Sequence, residues 1–209
     1  MKNHHLQLNL AKTELMVFPA IHHNLNINID SLSLVPSKTA RNLGVIIYDQ
    51  LTYMAHIASV SRSCRFALCN IRKIRPYLNQ YATQLLVQTL VSSRLDYCNA
   101  LLTGLPACVV KPLQMIQNVA TCLVFNKPKR AHVTPLLIEL HWLPVAARIK
   151  FKSLMLAYRV IAGSAPIYLN ALVRANVTSR MLRSSNERRL ALPSVQVRQS
   201  RLFSFVVPR

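Results

Sequence analysis

Six carboxylates are the whole supply of acid chemistry in this 209-residue chain: Glu14, Asp30, Asp49, Asp96, Glu139 and Glu187. No two lie within ten residues of each other. Paired carboxylates for general acid–base work, or clustered ones for a divalent cation, therefore find no local motif. Asp96 alone has a dense polar neighbourhood, in Ser93-Arg94-Leu95-Asp96-Tyr97-Cys98-Asn99. Arg94 is two residues away and would point elsewhere on a helix, so the reading for Asp96 is a structural ion pair with a cation from another helix. The His pairs His4-His5 and His22-His23 invite metal binding. Neighbours on a strand point to opposite faces, and no Cys or acid stands beside either pair, so they read as solvated. His132 and His141 follow Cys122 at no zinc-type spacing. Cys64, Cys69, Cys98, Cys108 and Cys122 are odd in number and include no C-x-x-C. They read mostly as buried free thiols in a reducing, intracellular setting, nucleus or cytoplasm. No nucleophile elbow or Gly-rich phosphate loop appears, and the only glycines are Gly44, Gly104 and Gly163. No catalytic residue, metal ligand or cofactor is expected within the chain.

The cations carry more information. Lys plus Arg number 26, the formal net charge is +20 and the pI is about 10.7. Such a surplus calls for a polyanion, nucleic acid first and an anionic membrane second. Three groupings stand out. Arg62, Arg65, Arg72 and Lys73 fall on one arc of about 100° of a helix. Lys127, Lys129 and Arg130 cluster in a loop. Arg148, Lys152 and Arg159 lie within about 40° of one another on a later helix. With compensating acids missing, these read as contacts to phosphate, which add affinity and salt dependence but no sequence specificity.

The elements that would position them follow from hydrophobic period. Hydrophobic residues make up 52% of the chain and mean hydropathy is +0.25, enough to bury a core. Residues 6–10 and 25–29 alternate apolar and polar, and 14–18 and 42–48 are compact apolar runs; they read as three or four short strands, paired antiparallel and ending near Asp49. From about Tyr53 the period becomes helical. Ile57, Val60, Cys64, Ala67, Leu68, Ile71 and Ile74 share one face, and Pro76 ends that helix. Further helices are expected at 79–102, at 110–125 with Pro112 in the first turn, at 135–140 with Thr134 as cap, at 144–162 closed by Gly163, and at 166–173. The fold class is mainly α with a small N-terminal antiparallel β segment, an α+β chain with a helical bundle. The organisation expected is 1–52 β segment, 53–130 helical region, 131–173 helical connector and 174–209 irregular Arg-rich tail. Residues 1–10 hold no apolar leader, so no secretory signal is expected. Polar residues break every apolar stretch, so no transmembrane span is expected either.

In this order the segments resemble the C-terminal part of reverse transcriptases from non-LTR (LINE-type) retrotransposons. Leu8-Asn9-Leu10-Ala11-Lys12-Thr13-Glu14 looks like the late palm segment called motif D, with Lys12 at the lysine position. Ala40-Arg41-Asn42-Leu43-Gly44-Val45, followed by Asp49, looks like the primer-grip hairpin, with Asn42, Leu43 and Gly44 at its turn. Residues 93–99 with Gly104-Leu105-Pro106, and Leu140-His141-Trp142-Leu143-Pro144-Val145 with Arg148-Ile149 and Phe151-Lys152, match the helical blocks that follow. The resemblance covers nearly the whole chain. It implies an incomplete palm in 1–52, a thumb in 53–130 and a connector in 131–173. It also implies an ancestral role in RNA-directed DNA polymerisation, with Mg²⁺ as the parent enzyme's metal and RNA template with RNA/DNA or DNA duplex as partner. The family's metal-binding aspartates, including its Tyr-Ala-Asp-Asp turn, lie upstream in the palm, and no Asp-Asp pair occurs here. The chain alone is therefore expected to be an inactive polymerase fragment that retains backbone-directed nucleic-acid binding. Two alternatives are a basic amphipathic module for anionic membranes or acidic partners, and a transposon remnant with no selected function.

Overall fold

The computed structural model of the protein describes residues 9, 12–18, 27–29 and 32–170. His4, His5, His22, His23, most of the 6–10 alternation and the basic tail 174–209 lie outside the described residues. The chain divides into two compact units, Met1–His56 and Ile57–Arg209.

In the first unit, β1 (Ile27–Ile29) pairs antiparallel with β2 (Leu32–Leu34), Ile29 opposite Leu32. Strand β3 (Thr39–Asn42) pairs antiparallel with β4 (Val45–Tyr48), Asn42 opposite Val45. The apolar run expected as one strand over 42–48 is thus divided by a two-residue turn at Leu43 (φ 46°) and Gly44 (φ 82°). A hairpin of this length needs positive φ at both central residues, which matches the twist of its strands. Gly44 adopts it freely and Leu43 with strain. The run over 14–18 does not become a strand. Leu15 makes only an isolated bridge to Pro36, and Ser37 N–H donates to Leu15 O at 2.8 Å. Pro36 has no N–H with which to continue a ladder.

The second unit is helical. Helix α1 (Met54–Ile74) buries Ile57, Cys64, Ala67, Leu68 and Ile71 as its period requires. Ile74, expected on the same face, is exposed because it ends the helix beside the 3₁₀ turn Arg75–Tyr77. The helix expected over 79–102 is broken into pieces. Asn79 caps α2 (Gln80–Val87), its side chain accepting from Ala82 N–H at 2.7 Å. A π-helical turn, Gln88–Ser92, leads into α3 (Ser93–Asp96). Thr89 Oγ1 donates to Leu85 O, and Ser93 Oγ to Thr89 O. Such back-bonding loosens the α ladder and favours the wider turn. The wider turn also keeps Thr83, Val87, Val91 and Leu95, spaced four apart, all buried. A plain α-helix would rotate that series by about 40° at each step. Cys98, at φ 52°, ends the run before the 3₁₀ turn Asn99–Leu102.

Helix α4 (Ala107–Val124) begins earlier than expected, so Pro112 falls inside it rather than in its first turn. It packs against α2, α5 (Val133–Glu139) and α6 (Val145–Ile161). Thr134 does not cap α5; His132 occupies that position, with no side-chain cap bond. Among the described residues α4 is the one helix long and apolar enough to cross a membrane, and half of it is buried inside the protein. It serves instead as the core of the unit. Its buried side chains include Leu113, Ile116, Ala120 and Leu123. Gln117 Nε2 donates to Leu143 O at 2.8 Å, and Val145 N–H donates to Gln114 Oε1 at 2.8 Å. Each fully buried Leu or Ile contributes about 1.5–3 kcal/mol. Helix α7 (Ile167–Asn170) follows α6.

Candidate nucleic-acid interface

The site is assembled around the end of α4. A helix C-terminus leaves carbonyls without partners and carries partial negative charge. Arg75, just past α1, donates to two of these carbonyls. Its Nε donates to Leu123 O at 3.0 Å, its Nη2 to Val124 O at 3.0 Å and its Nη1 to Leu78 O at 2.7 Å. One planar guanidinium so fixes the end of α1 against the end of α4.

Past α4 the chain turns sharply. Asn126 takes φ 52°, its N–H bonded to Leu123 O, while Lys127 N–H reaches back to Cys122 O at 2.9 Å. These are the two bonds of a Schellman cap. Ala131 N–H then closes a turn on Pro128 O at 3.0 Å. Lys127, Lys129 and Arg130 are thereby exposed on a short loop anchored at both ends. Arg62, Arg65, Arg72 and Lys73 are all exposed along α1, and Arg72 and Lys73 lie in its last turn, shortly before Arg75.

Two groupings that are far apart in sequence meet here. Arg72, Arg75, Pro76, Cys122, Leu123, Asn126, Lys127, Pro128 and Lys129 line one cleft of about 490 Å³. Its walls carry four cations and no carboxylate. Arg75 is committed to carbonyls; Arg72, Lys127 and Lys129 remain to face a ligand. An acceptor with several anionic oxygens, such as a phosphodiester backbone, fits this arrangement. Arg75 was not singled out from the sequence. Its only local signal is the Pro76 that follows, which stops the helix and frees the arginine from the α1 face.

The third grouping divides. Arg148 Nη1 meets Asp96 Oδ2 at 2.7 Å, and its Nε donates to Leu143 O at 2.8 Å. Asp96 thus has the ion-pair partner expected from another helix, and Arg148 is held in a structural contact rather than on a free basic face. Lys152 and Arg159 are exposed on α6. Asp96, Arg148 and Lys152 also line a smaller cleft of about 220 Å³ with Asn99, His141, Leu143 and Phe151. In the first unit Lys12 is exposed, and Asn42, Leu43 and Gly44 form the exposed end of the β3–β4 hairpin.

The cysteines do not follow the expectation that most are buried. Cys64 and Cys122 are buried, whereas Cys69, Cys98 and Cys108 are exposed. Cys69 shares the exposed face of α1 with Arg62 and Lys73, about 20–40° from each. Burial pushes the Cys64 thiol up to about 11, with Arg94 pulling weakly the other way. Among the described residues no three His, Cys, Asp or Glu side chains come together to hold a metal ion. No protein-family model matches the chain, and neither a curated protein nor a solved structure matches it.

Proposed function

We propose that this chain is a nucleic-acid-binding part of a non-LTR retrotransposon reverse transcriptase, spanning late palm, thumb and connector, and that it holds the template–primer through its phosphates. The observation that carries the binding reading is the convergence of Arg72, Lys127 and Lys129 on one acid-free cleft, from elements more than fifty positions apart. The family reading is supported by the ordered sequence blocks, among them Asn42-Leu43-Gly44, which occupies a hairpin turn as a primer-grip segment does.

Nucleotidyl transfer by two metals needs carboxylates held together, and the six acids of this chain are scattered. Alone, it binds and does not polymerise. A primed RNA template with Mg²⁺ and deoxynucleotides then yields no extension product; template-dependent cDNA would overturn that part of the proposal. Binding is tested by fluorescence anisotropy with a labelled RNA/DNA duplex over a salt series. Three phosphate contacts give a slope of roughly −3 in log K against log salt. A flat response would remove the electrostatic reading. Lys127→Ala with Lys129→Ala weakens every sequence alike.

A second reading, attachment to an anionic membrane, has its own observation. Helix α6 exposes Phe151, Leu154, Tyr158 and Ile161 on one side, flanked by Lys150 and Lys152. Apolar and aromatic residues bordered by cations suit a lipid headgroup boundary. Co-sedimentation with phosphatidylserine vesicles that persists under excess nucleic acid would favour it.

A further inference from the structure

We infer that the basic cleft, while holding duplex by its phosphates, binds a strand whose bases are unpaired more tightly, and that Tyr77 is the platform on which one of those bases stacks. This rests on the phosphate-binding reading of the same cleft and names the form of nucleic acid it takes.

The ring of Tyr77 is 88% exposed, although an aromatic of this size ordinarily gains by burial. It does not wave on a loose loop. It closes the single 3₁₀ turn Arg75–Tyr77. Arg75 bolts that turn to Leu123 O, Val124 O and Leu78 O. Pro76 fixes its own φ, and Leu78 N–H closes the turn on Arg75 O at 3.1 Å. The backbone that carries the ring is therefore preorganised, and the side chain has only two torsions left to order on binding. Arg75 and Pro76 both line the cleft, and Tyr77 is the next residue along the chain.

Cations in a groove, with an exposed aromatic carried on the turn that adjoins its wall, are the two parts of a single-strand site: the groove follows the phosphates and the ring receives a base face. Paired bases in a duplex are already stacked on their neighbours and offer the ring nothing beyond their outer edge. Stacking is indifferent to base identity, as are contacts from cations to phosphates. The consequence is discrimination by strandedness rather than by sequence.

The test uses the full chain, with a short mixed-sequence single-stranded RNA and the duplex of the same sequence, both labelled, at one moderate salt concentration. Tyr77→Ala weakens single-strand binding by about five-fold or more, the lower end of what one stacked base contributes. Its duplex affinity stays at the parent value. Tyr77→Phe and Tyr77→Trp restore single-strand binding, because they keep the π-face and lose or alter only the hydroxyl. Tyr168→Ala, an exposed ring on α7, changes neither affinity. Lys127→Ala with Lys129→Ala weakens both forms. If the lysine changes act but Tyr77→Ala leaves both forms alone or weakens both equally, the stacking inference is wrong and the phosphate site stands. If the lysine changes have no effect on either form, the phosphate reading fails and takes the inference with it.

Discussion

Arg148 serves Asp96 and the Leu143 carbonyl at once, and its contribution is set by how much water reaches it. The Asp96 side chain is 37% exposed against 16% for Arg148, so solvent screens the pair. Arg148→Ala is expected to cost about 1 kcal/mol, most of it from the charge-assisted bond to Leu143 O, read as a lower urea midpoint. Thiol reactivity divides as exposure does. Cys69, Cys98 and Cys108 should alkylate in the native protein, and Cys64 and Cys122 only after denaturation, which intact mass after iodoacetamide would report. Burial raises the Cys64 thiol to about 11, so even access leaves little thiolate at neutral pH. His56 gives a pH dependence of definite sign. It is buried, and burial holds its imidazole below the ordinary value. As pH falls, the unfolded chain takes up the proton before the folded one does. The stability is fully present above the unfolded value of about 6.5 and is lost as pH falls from there through the lowered folded value. Urea midpoints at pH 7.5 and 5.5 should differ in the parent and differ less in His56→Gln.

Helix ends do much of the work at the scale of elements. Among the described residues three helices finish in Schellman caps, with Asn126, His141 and Gly163 in the left-handed position. Lys127 N–H reaches Cys122 O, Trp142 N–H reaches Leu137 O and Ser164 N–H reaches Arg159 O. Trp142 and Leu137 are both buried, the apolar contact that accompanies such a cap. Glycine relieves the left-handed strain and histidine does not, so His141→Gly should raise stability by about 0.5–1 kcal/mol in urea denaturation. At the end of α4 the carbonyls depend on Arg75. Arg75→Ala removes three bonds from a charged donor and should cost about 1.5–3 kcal/mol. The same variant should lower nucleic-acid affinity although Arg75 need not touch the ligand, because Arg72 and Lys127 lose their common frame. Arg75→Lys would not rescue either effect, since an ammonium cannot span three separately placed carbonyls as a planar fork does.

Across the whole molecule, a charge of +20 is a statement about partners, and it was readable before any fold. So were the mainly helical class, the small antiparallel β segment, the buried face of α1 from Ile57 to Ile71 and the close of α6 at Gly163. These depend on residue type and spacing, which bias φ, ψ and burial locally. The break at Leu43-Gly44 was invisible to the hydrophobic period, which says nothing about a turn that a leucine is forced to enter; only the resemblance to a primer-grip hairpin put a turn there. The π turn in 88–92 was hidden because a helix that buries every fourth residue looks regular to a period near 3.6. The partner of Asp96 could be expected to come from another helix, but not identified, since which arginine arrives depends on how α6 lies against the 3₁₀ turn Asn99–Leu102. The cleft was the least legible feature. Arg72 and Lys127 are both plainly basic in the sequence, and nothing local joins them. What joins them is the docking of the α1 end on the α4 end through Arg75. Cationic side chains carry no hydrophobic signal of where they will meet; burial of the helices that bear them decides it. Sequence determined the charge and the helices, and tertiary packing decided which cations share one site.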